Sequence, residues 1–394
     1  MCIRLARLAP LSVWAAPVLG QAIPHEEELP SARLVEVAAI DVLNAPLSRR
    51  PSYLWELSDG TVLLGGQTEV LVFDRDGSYG REIGRAGDGP GEFRWLDGLG
   101  AHGDTVWTSD PLLGRVTRFL RDGALLETVT PDVPGRATGQ RLRLAPDGSI
   151  VGSPLPLNGV SGDPSGRGRV LWWRWHANEG LLDSLVASEV WHEHMLLRPS
   201  GRTGGVARLQ QPFSERAPVA FGGTERYALA ARAVVEADDE ALIVVERYHF
   251  DGRRDTSVAL RYRPMRLTAA AVDSVVDELG RQNSTRPGSR GQAARPTQEI
   301  ARQLREAIYV PRYYPPLNDL IQGSAGAIWI GRERSASREA NWVLATQSEG
   351  ALARVTLADY QRPLLATPDY VWLLEASMFD LPRIIKYRIE IAPG

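Results

Sequence analysis

One short phrase recurs along this chain: a tight polar turn, usually containing glycine, that runs straight into a strongly β-forming stretch. The copies are Ser58-Asp59-Gly60-Thr61-Val62-Leu63-Leu64, Gly103-Asp104-Thr105-Val106-Trp107, Pro146-Asp147-Gly148-Ser149-Ile150-Val151, Gly223-Thr224-Glu225-Arg226-Tyr227-Ala228-Leu229, Gly326-Ala327-Ile328-Trp329-Ile330 and Pro368-Asp369-Tyr370-Val371-Trp372-Leu373. Measured at the β-branched or aromatic residue after each turn, the spacings are 44, 44, 77, 101 and 43. Three intervals share one period, and the other two carry insertions of about 33 and 57 residues.

A period near 40–45 with several short strands per unit predicts an all-β, six-bladed β-propeller of four-stranded blades. Second strands ending in further turns support it, as in Val70-Leu71-Val72-Phe73-Asp74-Arg75-Asp76-Gly77, because Asp-Gly between apolar runs is a strong hairpin signal. The sixth unit has only three strands before the chain ends. The apolar stretch 34–42 belongs to no unit, so it is expected to complete blade six and close the ring, leaving no exposed strand edge.

Strand connectivity sorts the loops. In a four-stranded blade the first–second and third–fourth turns share one face of the disc, and the second–third loops and inter-blade links share the other. The long excursions, residues 154–168, 188–215 and 264–316 with a smaller one at 333–339, all map to the second face, where function is expected. The 264–316 insertion, between blades four and five, contains helical spacing over 267–279, with Thr268 as N-cap and Gly280 as a stop, and a second helix over 297–308.

The first 22 residues read as a signal peptide. Arg4 and Arg7 precede an apolar stretch too short to span a bilayer, and Gly20-Gln21-Ala22 offers a small-residue cleavage site. The expected mature chain, 23–394, is a single propeller domain in the periplasm or secreted. The full chain's lone cysteine, Cys2, falls within the leader, so neither disulfides nor thiolate metal sites are expected. A net charge of −3 gives no footprint for nucleic acid, and no apolar run is long enough for a membrane span.

Gly84-Arg85-Ala86-Gly87-Asp88-Gly89-Pro90-Gly91-Glu92-Phe93 resembles the glycine-rich inter-blade loop of NHL-repeat propellers. Trp107-Thr108-Ser109-Asp110-Pro111-Leu112-Leu113-Gly114-Arg115-Val116 is similar to that repeat's strand–Asp–loop–Arg-Val segment, and the match covers roughly residues 50–130. Tyr313-Tyr314-Pro315-Pro316-Leu317, followed by Ile328-Trp329-Ile330, resembles exported bacterial six-bladed propellers of unknown function.

Arg49, Arg50 and Tyr53 approach blade one, Arg94 and Trp95 approach blade two, and Tyr309, Arg312, Tyr313 and Tyr314 approach blade five. Arginine forks beside aromatic rings suit an anionic or sugar-like ligand, so Arg50, Arg94, Trp95, Arg312, Tyr313 and Tyr314 are the candidate ligand-binding residues. His192 and His194 could share a metal from alternate strand positions, but no third ligand is evident nearby. No cofactor is predicted, and a divalent metal stays open.

Three readings compete. The first is a non-catalytic, monomeric exported propeller that binds a peptide, glycan or protein partner on its insertion face. The second is a metal-dependent enzyme of the six-bladed lactonase, esterase or lyase type. Resemblance to that type implies channel Glu, Asn and Asp ligands, and no asparagine here lies in a matching motif. The third is a structural element of a larger envelope assembly. The first is preferred.

Overall fold

The structure is a computed structural model. It describes residues 23–392 except 43–44, 48–49, 134–139, 155–166, 192–193, 198–206, 215–216, 238, 285–296, 335–338 and 377–381. Six four-stranded antiparallel sheets form the blades of a ring, so the chain is a six-bladed β-propeller. The innermost strands, in blade order, are Tyr53–Glu56, Gly98–His102, Gln140–Leu144, Val219–Ala220, Leu317–Gln322 and Gln361–Ala366.

Successive side chains of a strand point to opposite faces of its sheet. In a propeller both faces are covered by neighbouring blades. Val62 and Leu64 therefore enter the seam between blades six and one, while Leu63 enters the seam between one and two. This is why the middle strands read as unbroken apolar runs. Each of the six seams has its own hydrophobic cluster, so the core is distributed around the ring. Trp107 and Trp173 are fully buried in the seam between blades two and three, and Trp329 in that between five and six. Truncating an aromatic side chain in such a site costs about 3–5 kcal/mol. Glycine makes room for them: a Cβ on Gly152 would lie 2.1 Å from the Trp173 ring.

The ring closes as the sequence predicts. Ala32–Ile40 is the outermost strand of blade six and pairs antiparallel with Arg383–Ile391, from Ala32 opposite Ile391 to Ile40 opposite Ile384. The next residue, Asp41, donates its N–H to the Gly77 carbonyl of blade one (3.2 Å). At the same seam Glu56 accepts from Trp372 Nε1 (2.8 Å) and from the chain's one lysine, Lys386 Nζ (2.7 Å). The ammonium also lies 4.7 Å from the centre of the Tyr370 ring. Upstream of the closing strand, the chain runs along two more blades. The Pro24 carbonyl accepts from Arg261 N–H (2.9 Å) on blade four and the Pro30 carbonyl from Arg354 N–H (2.8 Å) on blade five. Between them Glu26 pairs with Arg332 of blade five (2.8 Å), and Leu29 is buried in the seam between blades four and five.

The NHL-like segment does what its residue types suggest. Asp110 is buried and accepts four backbone N–H groups: those of Arg94 and Trp95 on Oδ2, and those of Leu112 and Leu113 on Oδ1. One carboxylate thereby fixes both the inter-blade link and the second–third loop. Arg115 donates to the carbonyls of Asp88, Gly89 and Glu92, holding the glycine-rich loop against blade two.

The insertion between blades four and five holds two helices, α1 (Ala269–Ser284) and α2 (Thr297–Ala307). Thr268 Oγ1 accepts from Ala271 N–H (3.3 Å), as its capping role predicts. Gly280 does not stop α1, which continues to Ser284. The glycine is buried, and a helix tolerates one at a modest cost, about 1 kcal/mol relative to alanine.

Candidate functional site

The two largest excursions, 188–215 and 264–316, are built as one cap. Val276 of α1 and Ile300, Ala301 and Leu304 of α2 form a small core of their own, packed against Leu209 from the link between blades three and four. Leu209 lies on a short hairpin absent from the sequence reading, His194–Leu197 paired with Ala207–Gln210. Gln211, buried, joins the two excursions: its Nε2 donates to the Ala307 carbonyl (2.8 Å) and its Oε1 accepts from Tyr309 N–H (2.9 Å). The stem of the insertion is pinned where Leu267 N–H donates to the Arg312 carbonyl (3.2 Å) and Tyr314 N–H to that of Met265 (2.9 Å). Tyr314 then meets Phe213 edge-on, ring centres 5.9 Å apart.

Beside this cap the central channel opens as a cavity of about 1110 Å³, lined by inner strands and by the links that lead into them. Arg50, Gln211, Tyr314 and Tyr360 stand on the links, and Val275 reaches it from α1. The mouth therefore lies on the insertion-bearing face.

On the channel wall is a cluster from three blades. Tyr53 of blade one donates its hydroxyl to Asp97 Oδ1 (2.8 Å). Asp97 Oδ2 is covered by two arginines of blade three's inner strand, Arg141 (Nε at 3.8 Å) and Arg143 (Nη1 at 3.6 Å), and makes no hydrogen bond. Arg143 crosses blade two at Gly98, where a Cβ would lie 2.7 Å from Nη1, and its guanidinium reaches 5.5 Å from the Tyr53 ring centre. Burial raises the Tyr53 hydroxyl above its usual range, the Arg143 charge opposes this, and the Asp97 carboxylate adds to it. Tyr53 is accordingly a neutral donor at physiological pH.

The sequence-predicted site residues separate into groups. Arg50 and Tyr314 line the cavity. Arg94 and Trp95 do not: the Arg94 guanidinium forms a bidentate pair with Asp88 of its own glycine-rich loop, and Trp95 is exposed. Arg312 stacks over Tyr313 at 5.1 Å, on the stem of the insertion and off the lining. His192 lies outside the described residues, as does the His194 side chain. Among the described residues no three His, Asp or Glu side chains come together as a metal site. Arg141, Arg143 and Asp97 were not singled out by sequence reasoning. The available signal was their place on, or leading into, a blade's first strand, just before the repeated turn.

No protein-family model matches the chain, and no curated protein matches it either. Its fold recurs among solved structures. A Bacteroides fragilis protein thought to be exported superposes over 94% of this chain and 99% of its own, at TM-score 0.50 and 9% identity. A DUF4221 family member from Bacteroides vulgatus follows over 93% and 100% (TM-score 0.45, 9% identity). A Xanthomonas campestris gluconolactonase covers 94% and 98% (TM-score 0.41, 11% identity). These likenesses are of fold alone. Among the described residues no helix is long and apolar enough to cross a membrane.

Proposed function

We propose that this propeller is an exported, non-catalytic binding protein that takes an extended polar ligand, a glycan, a peptide or a segment of a protein partner, into the mouth of its central channel. The observation that carries this reading is the cavity. At about 1110 Å³ it exceeds the usual 300–1,000 Å³ of a small-molecule pocket and suits a ligand of several linked units. Its position supports the same reading, since the two largest excursions cooperate to build one side of the mouth, and elaborated loops on a rigid scaffold are where binding residues concentrate. In this proposal Arg50 and Tyr314 act at the rim, while Arg94, Trp95, Arg312 and Tyr313 shape the links that carry it.

The test is a plug. Asn318 is exposed and faces the cavity from blade five. Asn318→Trp is expected to leave melting nearly unchanged, as exposed substitutions cost within about 0.5 kcal/mol, and to abolish binding of whatever ligand a glycan and peptide array identifies. Undiminished binding by the plugged protein would place the site elsewhere. Export is supported by the leader-like residues 1–22. Mass spectrometry of the native product is expected to find a new N-terminus near Ile23, and retention of Met1 would overturn the localisation.

A further inference from the structure

We infer that the ligand entering this channel is an acidic saccharide whose carboxylate docks on Arg141 and Arg143. The inference rests on the channel-binding reading above and supplies its ligand class.

Charge is the first argument. Asp97 is buried, 6% exposed, and offers one negative charge to two guanidiniums. One positive charge is left over at the channel wall. The two contacts to Oδ2, at 3.8 and 3.6 Å, are ion pairs longer than hydrogen bonds, so Asp97 positions the arginines without saturating their donors. Each guanidinium carries five N–H donors in a planar fork that matches a carboxylate. Arg143 spends one nitrogen, Nη1, on the Leu142 carbonyl (2.9 Å), and Arg141 is nearly half exposed towards the cavity.

The pair is also held in place. Tyr53 fixes the other oxygen of Asp97, Gly98 gives Arg143 its path, and the Tyr53 ring lies beneath the Arg143 guanidinium. An anion arriving here meets a site already organised, which lowers the cost of binding. The cavity's carboxylates, Asp319 and Asp359, stand on blade five and at the entry to blade six, across the ring from the arginines. On that far side Arg332 is engaged by Glu26 and by the Pro316 carbonyl. Arg50 and Arg362 also line the cavity, from the link into blade one and from blade six, but on blade three two guanidiniums converge on a single carboxylate.

The flanks select the rest of the ligand. Tyr53 and Trp55 of blade one and Trp172 of blade three line the cavity on either side of the pair, and all are half-buried. Flat, partly exposed rings of this kind offer stacking area to a sugar face, while Asn318 and Asn341 offer amides to its hydroxyls.

The experiment is calorimetry on the purified protein with oligomers of galacturonate, mannuronate and glucuronate, beside their methyl esters and oligo-glutamate. At least one acidic oligomer is expected to bind wild type more tightly than its ester, on the order of tenfold or more, and to weaken as salt is raised. Arg141→Gln combined with Arg143→Gln should remove that preference, so that acid and ester bind the variant alike. Because the double variant leaves Asp97 buried without a counter-charge, Asp97→Asn is added to it as a folding control, checked by melting. If acid and ester bind alike and the Asn318→Trp plug abolishes both, the anion inference falls while the channel reading stands. Binding of oligo-glutamate but of no saccharide would overturn the ligand class. Failure of every acidic oligomer to bind wild type would overturn the inference outright.

Discussion

The two faces of the disc are built by different rules. On one, five turns repeat a single local device: the aspartate side chain accepts the N–H two residues ahead, at 3.0 Å in Asp59–Thr61, 3.0 Å in Asp76–Ser78, 2.9 Å in Asp122–Ala124, 3.0 Å in Asp147–Ser149 and 3.1 Å in Asp251–Arg253. Each turn is complete within a few residues, and glycine supplies the positive φ, +89° at Gly60. On the other face the decisive contacts are distant in sequence, such as Gln211 with Ala307 and Tyr309, or Arg143 with Asp97 and Tyr53. A face assembled from self-contained turns keeps its shape whatever its neighbours do. A face assembled from remote partners can vary its surface, and there the cavity opens.

The largest expected effect comes from removing what both faces share. Deleting residues 23–43 strips the closing strand from blade six and the belt from blades four and five. The result is expected to be aggregation through the bared strand edge, seen by light scattering. A deletion variant that stayed monomeric with an unchanged melting profile would break the account of closure.

A smaller effect should follow replacement of residues 269–307 by a short glycine-serine link, which keeps the stem of Leu267 with Arg312 and Met265 with Tyr314. If the faces are independent, the ring still folds cooperatively and the short-turn face keeps its hydrogen-exchange protection. Ligand binding should fall by roughly 2 kcal/mol or more. Loss of cooperative folding instead would show that the helices brace the ring.

The smallest concerns a single turn. Burial pushes the Asp147 carboxyl up, but hydrogen bonds from Ser149 and the charges of Arg226 and Arg174 outweigh it, and its value falls below the ordinary 3.8. A carboxyl lowered in the folded state stabilises the protein above its unfolded value, and that stability is lost as pH falls through the folded one. Melting temperature against pH should therefore drop less steeply on the acid side in Asp147→Asn than in wild type. An identical acid limb would mean that this turn contributes nothing through its charge.

The same contrast explains what could be read from the sequence. Turns write themselves in adjacent residues, so the Asp-Gly copies gave away blade number, and the surplus strand at 34–42 gave away closure. The helices of the insertion were legible from Leu267, Ala271 and Val275 at helical spacing, although Gly280 misplaced the end of the first. Arg94 and Arg143 show where such reading stops. Both are arginines beside an inner strand, yet one turns back to Asp88 in its own loop and the other crosses a neighbouring blade to Tyr53. The alternation Gln140-Arg141-Leu142-Arg143-Leu144 identifies a strand with one apolar face. Whether its polar side meets bulk water or an enclosed channel depends on where the other blades stand, which no local pattern encodes.

The pairing of Ala32 with Ile391 also sets an order of events. A ribosome delivers the first of these residues long before the second. The circle therefore has no lasting closure until blade six has been made, and the early strand must wait unmatched while five blades' worth of chain emerges. Contacts so remote in sequence form slowly. In the export proposed above the delay is useful: a chain whose last seam cannot yet form is one that can still be threaded through a translocation pore, and it locks only once both strands of that seam have arrived on the far side.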